Sequence, residues 1–393
     1  MDNKLDNFQA PVIIPANNQS KLVALKKSRN RLAVMDEYSN QLEELFAIRY
    51  PKSEGNLKKL EKFVSKLFGN KQIEKTGNWV YFPWNNNLVH VLDDLLFQEL
   101  RMSRNFPLIK KTEQRKFYDL NVGVVGLSVG SSIVKSLIYS GGAKSLKLAD
   151  PDRLSLSNLN RIQAGIADVG LNKCVLTARQ VYEVNPYAQL KLFSDGINAN
   201  NINDFFVGNP RLDLVIDAAD DLIVKFNLRL MARAYRIPLL MTTDNGLESN
   251  TQVIRFDKDV NAGGMKDVPI LNTEDIVAAY KNHEPLDMSE KQKLKVITDL
   301  VGIKNVSSEM QVGSMMRAER KIAGWPQVAM TVFLGGALAA YAAKLVAIGA
   351  KTYKKQTSFS LGEHLKPSYK TSRNKSVELK KTNKFIKFLK TLK

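Results

Sequence analysis

The chain has 393 residues, 44% of them hydrophobic and 25% charged, which is the composition of an ordinary soluble globular protein. Its single cysteine, Cys174, excludes an intramolecular disulfide and a zinc site built from Cys-x-x-Cys pairs, so we expect no structural zinc and a reducing, cytoplasmic compartment. The net charge of +19 is unusual, and residues 351–393, with 13 Lys or Arg and two Glu, contribute +11 of it.

Residues 1–115 are predicted to be a mainly helical N-terminal region, because apolar residues recur at helical spacing in segments 22–46 and 57–68. The first ten residues are polar and lack the basic start and apolar core of a signal peptide. An aromatic element, WVYFPW, occupies residues 79–84. Such a cluster is more often part of a hydrophobic core than of a ligand site, so we predict that these rings are packed inside the region.

From residue 116 to 350, strand patterns alternate with helical patterns, and this predicts an α/β domain. We expect a Rossmann-like, largely parallel sheet with helices on both faces. The predicted strands are residues 122–125, 145–148, 189–193, 212–216 and 238–243, and two of the helices are residues 133–139 and 173–184.

The uncharged run 323–343 approaches the length of a membrane span, but Pro326 and the pair Gly335 and Gly336 favour a buried helix of the domain. Residues 351–393 form a basic tail. Its last segment, KKTNKFIKFLKTLK, would give a helix an apolar stripe beside a cationic face. Such a helix either docks on its own domain or binds an anionic partner such as tRNA or a membrane surface, and the sequence leaves both open.

A glycine-bearing turn, GLSVG at 126–130, joins the first strand of the domain to the next helix. Gly126 ends the strand, and the following helix offers N–H groups and the positive end of its dipole to phosphate oxygens. Asp150 ends the next strand, 24 residues later, at the place of a ribose-binding acid in nucleotide-binding folds. Further polar residues that can converge on a triphosphate follow in one short segment: Asp152, Asn158 and Arg161.

The segment DLVIDAADD at 213–221 is a strand that ends in acids. Ligands of open parallel sheets bind at the carboxyl ends of the strands, so Asp217, Asp220 and Asp221 are predicted to face the same crevice as the glycine turn. Carboxylate oxygens there suit a magnesium ion that bridges phosphates. The alternative is that Asp220 or Asp221 only caps the next helix. Lys173, at the start of a helix, is long enough to reach a β- or γ-phosphate.

Together these segments resemble the ThiF/MoeB family of adenylating enzymes, which includes the activating enzymes of ubiquitin-like proteins. The resemblance covers residues 100–246 and returns at 325–349. An opening motif, R-x-x-R-N at 101–105, precedes the glycine strand. Five ordered motifs follow: D-x-D-x-x-x-x-S-N-L-x-R-x-Q at 150–163, G-x-x-K at 170–173, V-N-P at 184–186, D-x-x-D-D at 217–221 and I-P at 237–238.

The resemblance implies an ATP-dependent adenylyltransferase that activates a carboxylate as an acyl-adenylate and releases pyrophosphate. It implies a homodimer in which Arg104 reaches the triphosphate of the neighbouring subunit, and Mg²⁺ on Asp220. It assigns catalytic roles to Arg104, Arg161, Lys173 and Asp220. It assigns the binding of ATP to Gly126, Ser128, Gly130, Asp150 at the ribose, Asp152, Asn158 near the α-phosphate, Arg161 and Lys173.

The chain departs from the family pattern at three places. GLSVG replaces the family's G-x-G-G-x-G, as in a bacterial subgroup that it resembles, so the phosphate loop must take a different path or the nucleotide must lie further out. Ile162 separates Arg161 from Gln163, and Asp221 stands where the family has Asn. Cys174 lies beside a lysine and not in the downstream region of thioester-forming members, so we predict a packed helix residue and not a nucleophile.

The sequence does not identify the substrate. The carboxylate belongs to the C-terminus of a ubiquitin-like protein, to a peptide or to a small molecule. One alternative is a tRNA-modifying, carboxylate-activating enzyme of the same fold, since the basic tail suits RNA. Another is a catalytically reduced nucleotide-binding scaffold, because the glycine loop is altered. A nicotinamide dehydrogenase is disfavoured by Ser128 at the second glycine of G-x-G-x-x-G and leaves Arg161, Lys173 and Asp220 unexplained. Residues 242–323 match no motif and are expected to form the substrate side.

Overall fold

The computed structural model describes residues 8–29, 31–262, 288–351 and 356–391. The chain divides into two compact units. The first takes its residues from Met1–Arg115 and Arg179–Ala188, and the second from Lys116–Ala178 and Gln189–Lys393.

The first unit combines helices with a small sheet. Its strands are β1 (Val12–Pro15), β2 (Ala33–Asp36), β3 (Asn78–Phe82) and β4 (Asn87–Val91). They lie in the order β1–β3–β4–β2, with β4 parallel to β2 and the other two pairings antiparallel. The helices are α1 (Gln19–Ser28), α2 (Tyr38–Arg49), α3 (Leu57–Phe68), α4 (Asp94–Arg101) and α5 (Lys111–Tyr118, of which residues 116–118 belong to the second unit).

The sequence analysis predicted helices in this region and missed the sheet. Its strands have only four or five residues each and lie between helices, so their alternation is too short to stand out. Most of the aromatic element 79–84 forms β3, where Trp79 and Tyr81 are buried as predicted. The ring of His90 stacks between Trp79 and Tyr38, with centroid distances of 4.5 and 4.2 Å.

The second unit carries the larger sheet. Its strands are β5 (Asn121–Val125), β6 (Ser145–Ala149), β7 (Gln189–Phe193), β8 (Leu214–Asp217), β9 (Leu239–Asp244), β10 (Glu248–Ile254) and β11 (Gln356–Ser360). Its helices are α6 (Val129–Tyr139), α7 (Lys173–Val184, of which residues 173–178 belong to this unit), α8 (Ile202–Val207), α9 (Leu222–Ala234), α10 (Glu290–Val301), α11 (Ser308–Ala318), α12 (Ala329–Ala347), α13 (Leu361–Leu365) and α14 (Ser372–Lys390).

The strand order of this sheet is β11–β10–β9–β8–β5–β6–β7. The five strands from β9 to β7 are parallel, and β10 and β11 extend the sheet with antiparallel pairings. On one face, Val125 of β5 packs with Phe205 of α8 and Leu228 of α9. On the other face, α6 approaches so closely that a Cβ added to Gly130 would lie 3.0 Å from Val124 Cγ1. The predicted Rossmann-like fold class is therefore confirmed.

Helix α12 is the apolar run that the sequence predicts to be buried. Among the described helices of membrane-spanning length it alone is apolar enough to cross a bilayer, and half of its apolar window is buried. It packs on α6, β9 and β10, and two glycines permit this approach. A Cβ at Gly336 would lie 2.5 Å from Ser132 Oγ, and one at Gly335 would lie 2.9 Å from Ser249 Oγ. The helix is thus packed within the unit, as predicted.

The residues after 350 are not a separate tail. Strand β11 pairs antiparallel with β10, so the sheet continues beyond the boundary that the sequence analysis placed at residue 350. Its sequence, QTSFS, is too polar to be recognised as a sheet strand without its partner. Further on, Phe385 of α14 is fully buried in a cluster with Leu294 of α10 and Met315 of α11. The C-terminal helix therefore docks on its own unit, one of the two outcomes that the sequence left open.

Candidate functional site

The candidate site lies where the strand order of the large sheet reverses. The chain continues from β5 to β6 and β7 on one side, whereas β8 and β9 lie on the other side. The carboxyl ends of β5 and β8 therefore diverge into a crevice, which is the usual ligand site of an open α/β sheet. Gly126 follows β5, Asp150 follows β6, and Asp217 ends β8.

Gly126 allows the glycine loop to approach the end of β8. Its φ is +85°, and an added Cβ would lie 2.4 Å from the carbonyl oxygen of Ala218. An L side chain is therefore excluded by backbone conformation and by space. No side chain caps the first turn of α6 in the described structure, so its N–H groups form the anion-attracting end of a helix beside the crevice.

Asp150 fixes the shape of this loop. Its Oδ2 accepts a hydrogen bond of 2.6 Å from Leu127 N, and its Oδ1 accepts one of 2.8 Å from Asp152 N. The side chain is 6% exposed, and burial raises its pKa above the ordinary value, against the opposing effect of the Lys173 ammonium 3.7 Å away. Asp150 thus joins two loops of the crevice through their backbones.

Lys173 is held at the crevice by two acids. Its Nζ lies 2.7 Å from Asp152 Oδ2, and its own side chain is 8% exposed, whereas that of Asp152 is 68% exposed. An ion pair with so exposed a carboxylate contributes little to stability, and a stronger anion can replace it. Lys173 is therefore a positioned cation that can turn from the exposed Asp152 to a phosphate, while the buried Asp150 keeps its two backbone hydrogen bonds.

Arg161 joins the other side of the glycine loop. Its Nε donates to Ser128 Oγ at 2.9 Å, and its Nη1 donates to Asn160 Oδ1 at 2.9 Å. Burial lowers its pKa, and the carboxylates of Asp220 and Asp244 counteract this. The guanidinium is thus a partly buried cation close to two acids.

The structure separates the roles of the three acids after β8. Asp217 is fully buried in ion pairs with Lys225 (3.0 Å) and Arg229 (2.7 Å), and although burial acts against ionisation, these cations hold its pKa below the ordinary value. Asp221 Oδ1 accepts from Val224 N at 3.0 Å and caps α9. The capping alternative is therefore correct for Asp221, and Asp220 is the acid that is left for a ligand.

Asp220 faces the cations of the site. Asp220 is an exposed residue, and the protein atoms that surround it raise the pKa of its carboxyl group. Lys225, Lys173 and Arg161 act in the opposite direction, so all three cations lie within electrostatic reach of this carboxylate. Among the described residues, no group of three or more His, Cys, Asp or Glu could hold a metal ion by itself.

Sequence reasoning missed two residues of the crevice, Lys225 and Asp244. Lys225 lies four residues after the capping Asp221, on the side of α9 that faces the end of β8. Asp244 ends β9 as Asp217 ends β8, and the pattern of a buried strand followed by Asp would have found it. Burial raises the pKa of Asp244 to about 6, despite a hydrogen bond from Thr331 Oγ1.

Three further residues from the sequence analysis have other surroundings. Asn158 Oδ1 accepts from Ser155 N at 3.1 Å and so completes the cap of a short helix, without a recorded contact to the glycine loop. Arg104 is an exposed residue of the first unit. Cys174 is fully buried, and burial raises the pKa of its thiol to about 12, so it is a packed helix residue as predicted.

The departures from the family pattern have physical reasons here. Ser128, at a replaced glycine, supplies the hydroxyl that receives Arg161. Ile162 is 2% exposed and packs with Leu154 and Leu176, so this position needs an apolar side chain. Asp221 caps a helix, and Asp and Asn cap equally well.

Comparison with known proteins identifies the family of the chain. A model described as the ThiF family matches residues 100–383. The uncharacterized protein MT1398 of Mycobacterium tuberculosis is 31% identical over 308 residues, which are 76% of this chain and 41% of that protein. The sulfur carrier protein ThiS adenylyltransferase of Escherichia coli is 25% identical over 158 residues, 39% of this chain and 62% of that enzyme.

The tRNA threonylcarbamoyladenosine dehydratase of Escherichia coli is 27% identical over 218 residues, 55% of this chain and 72% of that enzyme. Its crystal structure in complex with ATP aligns with a TM-score of 0.44 and 19% identity, over 64% of this chain and 95% of that one. The chain spans less than half of the length of MT1398. Since the family model covers most of the sequence, the chain belongs to the ThiF family.

Proposed function

We propose that this chain is an ATP-dependent adenylyltransferase that activates a carboxylate. A carboxylate oxygen attacks the α-phosphorus of ATP, the bond from that phosphorus to the bridging oxygen breaks, and pyrophosphate leaves with the electron pair. The observation that carries the proposal is the convergence of the glycine loop, Asp150, Arg161, Lys173 and Asp220 at one crevice. A relative named as an adenylyltransferase supports the reaction.

The crevice fits a nucleotide triphosphate. Gly126 lets the loop lie close to the end of β8, and the uncapped start of α6 attracts anions. In our proposal the ribose hydroxyls bind Asp150, whose oxygens keep lone pairs beside their two backbone bonds. Charge on the polyphosphate is balanced by Arg161, held through Ser128, and by Lys173, held through Asp152. Asn158 is assigned to the α-phosphate through its free amide nitrogen.

Asp220 fits the single protein ligand of a magnesium ion. Mg²⁺ keeps several waters and commonly binds one or two carboxylates together with substrate phosphates, so a larger acid cluster is not needed. The ion would neutralise phosphate charge. Catalysis by the chain itself then rests on orientation and on the fixed charges of Arg161 and Lys173.

Replacing Asp220 tests the reaction. We expect Asp220→Ala to lower ATP–pyrophosphate exchange by about 100-fold or more, because a fixed charge at the reacting phosphates is lost. The matched control is Asp221→Ala, which loses a helix cap of about 1 kcal/mol but keeps exchange. Exchange that survives in Asp220→Ala would remove Asp220 from the mechanism. Binding of ATP without exchange for any carboxylate would favour the scaffold alternative.

We further propose that the enzyme is a homodimer and that Arg104 serves the site of the neighbouring subunit. Arg104 is exposed in a short helical turn of the first unit, as a residue that reaches a partner must be. Mixing Arg104→Ala subunits with Asp220→Ala subunits should restore roughly a quarter to a half of the activity, because some hybrid sites are whole. A monomer at working concentration would contradict this proposal.

A further inference from the structure

A pocket of ≈ 100 Å³ lies beside Asp220, entirely within the second unit. Its lining includes the ends of β8 and β9 and residues of α10 and α11, in the region 242–323 that no motif explains. Apolar side chains contribute much of the wall: Leu294, Ile297, Val301, Met310 and Trp325. The volume is smaller than the cavity of about 150 Å³ that holds a benzene ring, so the pocket suits an aliphatic group.

One wall of this pocket carries an acid with an unused acceptor. Asp244 is 8% exposed, and its Oδ1 accepts a hydrogen bond from Thr331 Oγ1. Its Oδ2 accepts no hydrogen bond of full geometry among the residues that the structure describes, and Val328 N–H is the backbone donor near this carboxyl group. Buried polar atoms are normally paired, so this oxygen calls for a donor from a ligand. An N–H group, charged or neutral, is such a donor.

Asp244 and Asp220 are both within electrostatic reach of Arg161. A ligand in this pocket whose N–H meets Asp244 also has Asp220, the acid that we assign to the ATP site, in the wall of the same pocket. The aliphatic pocket adjoins both acids, since Asp220 and Asp244 line it together with Lys225. An N–H donor, an aliphatic group and a reacting carboxylate are the three substituents of one α-carbon.

We propose that the substrate carboxylate belongs to an α-amino acid unit with an aliphatic side chain, whose N–H binds Asp244 Oδ2 and whose side chain fills the pocket. This inference rests on the proposed adenylation. The unit has two sources, a free amino acid or the C-terminal residue of a peptide, and they share the same chemistry. A free amino acid brings an ammonium group to Asp244, and a peptide brings an amide N–H.

The first experiment compares carboxylates in ATP–pyrophosphate exchange. We expect L-leucine or glycyl-L-leucine to be at least tenfold better, in kcat/KM, than glycine, which lacks the side chain, and than 4-methylpentanoate, which lacks the nitrogen. Whichever of the first two is better identifies the source. Equal rates for all four would overturn the inference while leaving adenylation intact. No exchange with any carboxylate would instead contradict the proposed function.

Binding gives a readout without turnover. Adenosine 5′-sulfamate joined to leucine mimics the leucyl-adenylate, and calorimetry should find it at least tenfold tighter than the glycine counterpart. In Asp244→Asn we expect the kcat/KM ratio of leucine to 4-methylpentanoate to fall at least fivefold. If Asp244 were only structural, Asp244→Asn would lower kcat/KM for leucine and for 4-methylpentanoate equally and leave the ratio unchanged.

Filling the pocket provides a second variant if Asp244→Asn does not fold. Ile297→Trp should raise the KM for the aliphatic substrate about tenfold, while the affinity for ATP, measured on the same sample, reports that the site is folded. An unchanged KM for leucine or its dipeptide would contradict the assignment of the pocket.

Discussion

Asp220 and Asp221 are neighbours in sequence but differ in what they contact. Asp221 caps α9 with its own oxygen, which leaves Asp220 as the acid directed to the cations of the crevice. The sequence indicated an acid cluster and a helix start, but it could not tell which oxygen accepts a backbone N–H. Such assignments depend on side-chain rotamers, which a one-dimensional pattern does not encode.

Asp244 leads to a prediction about stability and pH. Its pKa is about 6 in the folded protein against an ordinary value of 3.8, so between these pH values the folded state holds a proton that the unfolded state has released. The raised pKa of Asp244 therefore stabilises the folded state fully below pH 3.8. This stabilisation, about 2–3 kcal/mol in total, is lost as the pH rises through 6. Asn cannot ionise, so Asp244→Asn does not lose this stabilisation. The unfolding free energy of the variant, relative to that of the parent, should therefore rise by this amount between pH 4 and pH 7. Urea unfolding at both pH values measures it, and a difference independent of pH would contradict it.

At the scale of elements, the sequence predicted the parallel strands well. The predicted strand 189–193 and helix 173–184 coincide with β7 and α7, and the other parallel strands differ by one or two residues at their ends. Strands β5, β6, β8 and β9 are buried along almost all of their length, so their apolar runs are strong signals, whereas β7 at the edge of the sheet is only partly buried and alternates polar with apolar residues. Strand β11 and the small sheet of the first unit were missed, because short or polar strands depend on partners that are distant in sequence.

The close packing of α12 gives a prediction at the same scale. A Cβ at Gly336 would lie 2.5 Å from Ser132 Oγ and 2.8 Å from the Ser132 carbonyl oxygen, so the backbones of α12 and α6 must separate. Gly336→Ala should cost about 1–3 kcal/mol of unfolding free energy, although alanine favours a helix. The control is Gly324→Ala, whose Cβ meets nothing within 4 Å and should leave the free energy unchanged within about 1 kcal/mol. Equal urea midpoints for both variants would show that the glycine is not needed.

For the whole molecule, the charge distribution is the feature that composition alone could not interpret. Helix α14 buries Phe385 against α10 and α11, and it leaves Lys380, Lys384 and Lys387 exposed. The apolar stripe predicted from the sequence is thus used for docking, and the cationic face remains for solvent or a partner. An anionic partner such as RNA would contact these exposed lysines first.

Neutralising that face tests the role of the charge. The triple change of Lys380, Lys384 and Lys387 to Gln should weaken tRNA binding and reduce the slope of log K against log salt by about 2–3, because fewer counterions are released. ATP affinity should not change, because these lysines are on the exposed face of α14 and are not among the residues that we assign to ATP. The contrasting variant is Phe385→Ala, which should destabilise the unit by about 3–5 kcal/mol through a cavity. Unaltered tRNA binding in the triple variant would assign the lysines to solubility only.

The two backbone bonds of Asp150 have a thermodynamic consequence. They hold Leu127 and Asp152 in place through groups that belong to the protein itself, so the glycine loop acquires its shape on folding. In the proposed function, a nucleotide would then meet a preorganised receptor and lose little of its binding free energy to ordering the chain. The entropy of loop ordering is already included in the stability of the folded domain. The attraction between polyphosphate and the cations of the crevice is therefore left to orient the α-phosphorus for attack.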